Sequence, residues 1–443
     1  MHVVQASAWY PPHDLGGTEV YLEALVEELG ALGVGTTLLV PRRRHAPDRY
    51  EHRGKTVATY PVDEQPTRRD LRQHTPHMGF DAFSRLLAQE RGTSRIYHQH
   101  AWTRGCGPDH LACARALGFR TVLTVHVPTV VCLRGTMMRS AGTACDGLVQ
   151  ASRCGGCHLE SRGMPASVAR TIAALPQAVA DRGRHVAGRA GTVISARALG
   201  AAKQHELRAM FANADTIVAV CQWLYDALAL NGVPTDKLRL SRQGLPRSLV
   251  DQLARSSAAG KRSEDAAALR ILLLGRWDAV KGIDLLVRAA KMLPLETAVH
   301  VTIHAVASNS DGLAYERHVR ALADGDPRIT IAGAVRRSDI ATAFGRHDVL
   351  AIPSQWLETG PLVALEAQAA GLHIVGSRLG GIAELVEGTG TGMLVDAATP
   401  EAWAYAIRSL ADRHRAGDLV RRPMRVRGME AVARDMLEIY RSL

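Results

Sequence analysis

Short apolar runs alternate with amphipathic stretches along most of the chain, in two series separated by a polar segment. Such alternation builds strand–helix–strand units, which bury their apolar faces as parallel sheets covered by helices. A length of 443 residues exceeds one ordinary core and suits two domains. The spacing predicts an α/β protein with a Rossmann-like, doubly wound first domain over residues 1–246. A linker follows over 247–268, then a second doubly wound domain over 269–422. A helix over 423–443 is expected to pack back on the first domain.

In the first series, His2 to Ala8 reads as a strand, Gly16-Gly17-Thr18 as a turn and Glu19 to Leu32 as a helix. Tyr21, Leu22, Leu25, Val26 and Leu29 fall on its apolar face, with Glu19, Glu27 and Glu28 off it. Further strands are expected at 35–40, 95–98, 121–125, 216–220 and 237–240. Between residues 127 and 163 the periodicity stops, so this Gly-, Cys- and Thr-rich stretch reads as an insertion. A mostly helical segment follows over 165–212. Arg247 to Ala268 is small-residue rich with mixed charge, the composition of a linker. Second-series strands are expected at 270–274, 299–305, 329–332, 349–352, 373–375 and 392–395.

Ligands of open parallel sheets bind beyond the carboxyl ends of the strands, and the second series concentrates its chemistry there. After the strand at 270–274 comes Gly275-Arg276-Trp277-Asp278-Ala279-Val280-Lys281-Gly282, two cations flanking a turn before a helix. A planar guanidinium and a mobile ammonium suit a diphosphate. After the strand at 349–352 comes Pro353-Ser354-Gln355-Trp356-Leu357-Glu358-Thr359-Gly360-Pro361, then a helix from Leu362 with Pro361 at its first position. Amides at a helix start attract phosphate, and Glu358 and Glu366 can take hydroxyls at different ends of one ligand.

Glu358-x7-Glu366 within Pro-Ser-x-Trp-x-Glu-Thr-Gly-Pro-Leu-Val-x-Leu-Glu-Ala resembles the signature of the retaining glycosyltransferases of family 4, which have the GT-B fold. Gly275-Arg276, Lys281-Gly282, Ala370-Gly371, Gly380-Gly381-x2-Glu384 and Gly392-x-Leu394-Val395 follow the same pattern, and Gly16-Gly17-Thr18-Glu19 resembles that family's glycine-rich loop. The resemblance implies two Rossmann-like domains facing each other across a cleft, the first on the acceptor side and the second binding the donor. It implies transfer of a sugar from a nucleoside-diphosphate sugar, UDP or GDP rather than ADP, to an acceptor hydroxyl with retention. Arg276 and Lys281 would bind the leaving diphosphate, Glu358 the sugar hydroxyls and Glu366 the ribose. The backbone of Thr359, Gly360, Pro361 and Leu362 would surround sugar and phosphates, with Gly16 and Gly17 approaching from the other domain. His126 matches the position near the reactive end of the sugar. One departure stands out: where the family has a glycine-rich turn, the chain reads Ile303-His304-Ala305-Val306-Ala307-Ser308-Asn309, which leaves the base open. Fixed cations and helix amides would stabilise the leaving group, so no Mg or Mn is required at the donor.

Four of the seven cysteines cluster as Cys132-x12-Cys145-x8-Cys154-x2-Cys157. That spacing is expected to hold a structural zinc ion, or else an iron–sulfur cluster, bracing the insertion. Cys106, Cys113 and Cys221 read as small core residues. A net charge of +11, with runs at Arg42-Arg43-Arg44, Arg68-Arg69 and Arg421-Arg422, allows peripheral contact with an anionic membrane face. Aromatics at 5% leave little for stacking bases, which argues against nucleic acid. The start of the chain has no charged-then-apolar leader pattern, which points to the cytoplasm. The acceptor is open: a sugar, a lipid-linked glycan or a natural product. Two competing readings remain, a nucleotide-sugar epimerase of the same fold and a zinc- and nucleic-acid-binding protein.

Overall fold

The computed structural model describes residues 1–12, 16–42, 47–62, 79–90, 92, 95–140, 142–259, 268–396 and 398–443. The chain divides into two compact units, Met1–Arg242 together with Glu430–Leu443, and Gln243–Met429.

In the first unit the strands are β1 (His2–Ala6), β2 (Gly35–Pro41), β3 (Arg49–His52), β4 (Lys55–Tyr60), β5 (Ile96–Gln99), β6 (Arg120–Val125), β7 (Thr216–Ala219) and β8 (Leu238–Leu240). They line up as β3-β4-β2-β1-β5-β6-β7-β8, so the order reverses between β1 and β5. All neighbours are parallel except β3 on β4. Helix Gly17–Ala31 lays Tyr21, Leu22, Leu25, Val26 and Leu29 into the core. Glu19, read as off the apolar face, is nonetheless buried, as is Glu23. Glu23 is reached by the His52 ring at 2.9 Å from the β3 edge. Glu19 folds back toward its own helix start, its Oε2 lying 2.6 Å from where a Cβ on Gly16 would sit. The terminal helix Met429–Ser442 contributes Glu430–Leu443 to this unit.

The second unit holds β9 (Leu269–Arg276), β10 (Val299–Val306), β11 (Ile329–Ala332), β12 (Val349–Ile352), β13 (His373–Ser377) and β14 (Gly392–Val395), ordered β11-β10-β9-β12-β13-β14. Every pairing is parallel, and the order reverses between β9 and β12. These two strands pair only at Ile271 with Val349 and Leu272 with Leu350. Beyond that point they separate, which opens a crevice at the switch point. Apolar strand residues pack against helices on both sides, with Trp403, Ile283 and Leu286 fully buried.

The stretch read as a linker contains helix Arg247–Ala259, which packs Leu249, Val250 and Leu253 into the second unit's core beside Phe344 and Ala364. Three apolar residues at helical spacing outweigh the small polar residues around them. Residues 260–267 lie outside the described residues.

Candidate functional site

In the second unit, the loop after β9 and the loop after β12 are joined side by side. Asp278 caps the short turn Ala279–Lys281 by accepting from the Val280 amide at 3.2 Å. Gly282 then starts helix Ile283–Met292 with φ +65°, and a Cβ there would stand 2.0 Å from the Pro353 carbonyl oxygen. Only glycine meets both demands. The Gln355 amide donates to the Val280 carbonyl at 2.6 Å, fastening the two loops together.

This fastening aligns the charges. Lys281 Nζ lies 2.7 Å from Glu358 Oε1, and Ser354 Oγ donates to the same oxygen at 2.8 Å. Lys281 also stands 5.4 Å from the centre of the Trp356 ring. Glu358 is buried, and its backbone carbonyl accepts from the Gly381 amide at 2.7 Å. A Cβ at Gly381 would sit 2.4 Å from the Gly360 amide nitrogen, so the Gly380-Gly381 pair is where a second helix start passes under this turn. Gly360 has φ +102°, and Pro361 is the N-cap of helix Leu362–Ala369, one position earlier than expected. The Ala364 amide donates to the Pro361 carbonyl at 3.0 Å, and the two amides before it, Leu362 and Val363, are the ones a helix start offers to an anion.

Arg276, the last residue of β9, is exposed, and its guanidinium makes no hydrogen bond or ion pair among the described residues, so one cation here is engaged and one is not. Glu366 sits within helix Leu362–Ala369. Part of the residue reaches the surface, yet enough protein surrounds its carboxyl that burial pushes its pKa up to about 7, against a smaller opposing pull from Arg337. Neither Ser354, Trp356 nor Arg337 was singled out by sequence reasoning. Ser354 and Trp356 fall inside the quoted motif, and Arg337 has no sequence signal.

The first unit brings its own residues to the carboxyl edge of its sheet. Gly16 is the N-cap of helix Gly17–Ala31, and among the described residues a Cβ on Gly17 would meet nothing within 4 Å. His126 follows β6 and is buried, its ring edge-on to Tyr21 with centroids 4.7 Å apart. His100 Nδ1 lies 3.2 Å from His126 Nε2. Burial holds His126 at a pKa of about 3, so its imidazole is neutral.

Cys132, Cys145, Cys154 and Cys157 line one cavity of about 650 Å³. Among the described residues no three His, Cys, Asp or Glu side chains stand close enough to hold a metal ion, so the structure does not support the expected zinc or iron–sulfur site. Cations occupy the neighbourhood instead. Arg153 lies 3.3 Å from Cys145 Sγ and also pairs with Asp146, while Arg134 lies 3.9 Å from Cys157 Sγ. Burial pushes the Cys154 and Cys157 thiols up, favouring their neutral forms.

The glycines between Cys154 and Cys157 have a packing role. A Cβ on Gly155 would lie 2.5 Å from the Ala196 carbonyl oxygen, and one on Gly200 would lie 2.2 Å from that of Ala151. Helices Ala151–Glu160 and Ala196–Asn213 therefore cross with their backbones nearly touching. A helix held this way is no free recognition helix for nucleic acid.

Arg43, Arg44, Arg68 and Arg69 lie outside the described residues. Arg421 donates to the carbonyls of Gly345, Phe344 and Ala370. No helix among the described residues is long and apolar enough to cross a membrane.

Residues 268–413 match the family described as Glycosyl transferases group 1. The chain is similar to the D-inositol 3-phosphate glycosyltransferase of Mycobacterium sp. (strain JLS), 36% identical over 166 residues that make up 37% of this chain and 36% of that enzyme. It thus spans only 36% of the length of that relative. The enzyme of the same name from Pseudarthrobacter chlorophenolicus is 24% identical over 406 residues, covering 90% of this chain and 83% of that one. Among solved structures, Anabaena HepE in complex with UDP and glucose superposes with a TM-score of 0.61 at 14% identity, covering 100% of this chain and 99% of the other.

Proposed function

We propose that this chain, a glycosyltransferase with a group 1 domain and the GT-B fold, moves a sugar from a nucleoside-diphosphate sugar to an acceptor hydroxyl with retention at the anomeric carbon. The observation that carries the reading is the cluster of Lys281, Ser354 and Glu358 at the diverging ends of β9 and β12, with the unengaged guanidinium of Arg276 at the end of β9. Donor binding would exchange partners there. The diphosphate draws Lys281 away from Glu358 and is clamped by Arg276, while the freed carboxylate takes hydroxyls of the sugar. The exchange keeps every charge partnered, which limits the desolvation cost of filling the site.

Breaking the bond between sugar and diphosphate builds negative charge on the leaving oxygen. Lys281, Arg276 and the opening amides of helix Leu362–Ala369 would stabilise it with fixed positive charge. Glu366, with a pKa of about 7, can donate as well as accept a hydrogen bond near neutrality, which suits a ribose hydroxyl. The family resemblance gives His126 a role near the reactive end of the sugar. Attack on the face from which the diphosphate leaves accounts for retention.

A uridine or guanosine diphosphate donor fits the family resemblance, and HepE was solved with UDP and glucose on the same fold. The relatives' name, D-inositol 3-phosphate glycosyltransferase, supports a hydroxyl of a sugar or polyol as acceptor. The test is a screen of nucleoside-diphosphate sugars, reading diphosphate release with and without candidate acceptors and the product's anomeric configuration by NMR. Release of no nucleoside diphosphate from any donor would sink the proposal, and an inverted product would sink its stereochemistry.

A further inference from the structure

A chain of hydrogen bonds runs under the carboxyl edge of the first unit's sheet, from the terminal helix to His126. Gln5 Nε2 donates to Tyr440 Oη at 3.1 Å. Tyr440 Oη lies 2.6 Å from His98 Nδ1, and His98 Nε2 lies 2.7 Å from Thr124 Oγ1. Gln5 Oε1 lies 2.8 Å from His100 Nε2, and His100 Nδ1 lies 3.2 Å from His126 Nε2. Gln5, His98, His100 and Tyr440 are each at most 2% exposed, and His126 is 5% exposed.

Each link constrains the next, because a neutral imidazole has one donor nitrogen and one acceptor. The Tyr440 hydroxyl accepts from the Gln5 amide, so its own proton goes to His98 Nδ1. His98 therefore carries its proton on Nε2 and donates to Thr124. Gln5 has committed its amide nitrogen to Tyr440, which turns its carbonyl oxygen toward His100. That oxygen can only accept, so His100 carries its proton on Nε2. His100 Nδ1 is then a lone pair, and His126 must donate to it from Nε2. Burial keeps the three rings neutral, so no second proton disturbs this order.

We infer that Tyr440 and Gln5, acting through His100, fix the tautomer of His126, leaving Nδ1 as an obligate hydrogen-bond acceptor. This rests on the proposed placement of His126 at the donor sugar, and it adds a selection rule to it. The group that meets Nδ1 must donate: a hydroxyl or an N–H is taken, whereas a carboxylate or phosphate oxygen is refused. Tyr440, Gln5 and His100 are positioning residues that need not touch the substrate. The terminal helix thereby affects the chemistry of a residue more than three hundred positions earlier.

The test uses full-length protein with 15N-labelled histidine, with the His126 signals assigned by their loss in His126→Gln. Ring 15N shifts and long-range couplings report which nitrogen bears the proton. In the parent protein His98, His100 and His126 are expected to be protonated on Nε2 alone. In Tyr440→Phe the Gln5 amide loses its acceptor and can rotate, so a second His126 form protonated on Nδ1 should appear, with His158 as an unperturbed control. Gln5→Leu removes the oxygen that fixes His100 and should let the same second His126 form appear. Thermal midpoints check that both variants are folded, and Tyr440→Phe alone decides the matter if Gln5→Leu is not.

An Nδ1 proton on His126 in the parent, or an unchanged His126 pattern in folded Tyr440→Phe, overturns the inference. Turnover of the working donor should fall several-fold in Tyr440→Phe with little change in KM. If no donor is ever turned over, the functional proposal has failed while the tautomer result still stands on its own.

Discussion

The two units share a sheet order that reverses in the middle, yet their switch points are furnished in opposite ways. In the second unit β9 and β12 stop pairing after two residue pairs, and the gap is lined by Lys281, Glu358 and Arg276. In the first unit β1 and β5 stay paired from Val3 with Ile96 through Ala6 with Gln99. At their ends lies a network of neutral, hydrogen-bonded side chains around His100 and His126, with the Glu19 carboxylate confined to the neighbouring helix start. The same scaffold thus supplies a charged edge suited to a diphosphate and an edge whose histidine network is uncharged and suited to hydroxyls. Charge is kept where a charged ligand can replace the solvent it displaces, and removed where it would be buried without a partner.

The charged edge gives the largest predicted effect. Lys281→Ala removes the cation that would meet the leaving diphosphate and takes from Glu358 its ion-pair partner, while Ser354 still donates to the carboxylate. Loss of one such preorganised group typically costs ~2.7–4 kcal/mol, so kcat/KM should fall by about 100- to 1000-fold. Steady-state kinetics on the working donor measure it. A loss under threefold would mean that the charged edge is not where the diphosphate sits, and the contrast between the units would lose its functional meaning.

Glu358→Gln sharpens the assignment within that edge. The amide keeps the shape and one acceptor but gives up the charge that strengthens bonds to sugar hydroxyls, a loss of roughly 1.5–3 kcal/mol. We expect kcat/KM to drop by about 10- to 150-fold, mostly through kcat. Weaker inhibition by the nucleoside diphosphate product, with kcat unchanged, would instead place Glu358 on the phosphates.

Much of the charged edge was legible in the sequence, because its residues are close in the chain: Arg276 to Lys281 and Glu358 to Glu366 each form one local pattern after one strand. The neutral edge was not legible beyond His126. Gln5, His98, His100 and Tyr440 come from three distant segments, and their meaning depends on which nitrogen faces which oxygen. The strands were readable from apolar runs, but the β3–β4 hairpin was missed because Arg49, Glu51, Arg53 and Lys55 interrupt its apolar positions. Glu19 was misplaced because periodicity cannot foresee a carboxylate folding back over its own helix start.

Glu366 tests whether the second unit tolerates its charge. Its carboxyl is held at about 7 by burial against an ordinary value of 4.5. Below pH 4.5 both folded and unfolded chains bind the proton, so the residue costs nothing. Between 4.5 and about 7 only the folded chain retains it, so stability falls as pH rises and the full cost is reached above the upper value. Glu366→Gln should therefore stabilise the protein at alkaline pH by up to roughly 3 kcal/mol and leave it unchanged in acid. Denaturant midpoints across that range give the answer. A benefit that is the same at both ends would mean the carboxyl is not buried in its charged form.

The smallest effect is expected in the cysteine insertion, which belongs to neither edge. If zinc braced it, stripping the metal would remove a large part of its stability. The structure puts the bracing elsewhere: Gly155 and Gly200 bring two helix backbones together, and Arg153 and Arg134 take the thiols' neighbourhood. Cys154→Ala should then cost under about 1 kcal/mol beyond its lost packing and leave turnover within twofold, and a strong chelator should not move the thermal midpoint. Gly200→Val, by contrast, should cost about 1–3 kcal/mol by forcing the helices apart. Stoichiometric zinc in the purified protein, with a midpoint that drops on chelation, would reverse this ranking. The insertion would then be held by a charged centre, and the division into one charged and one neutral edge would no longer cover all the ionic chemistry of the chain.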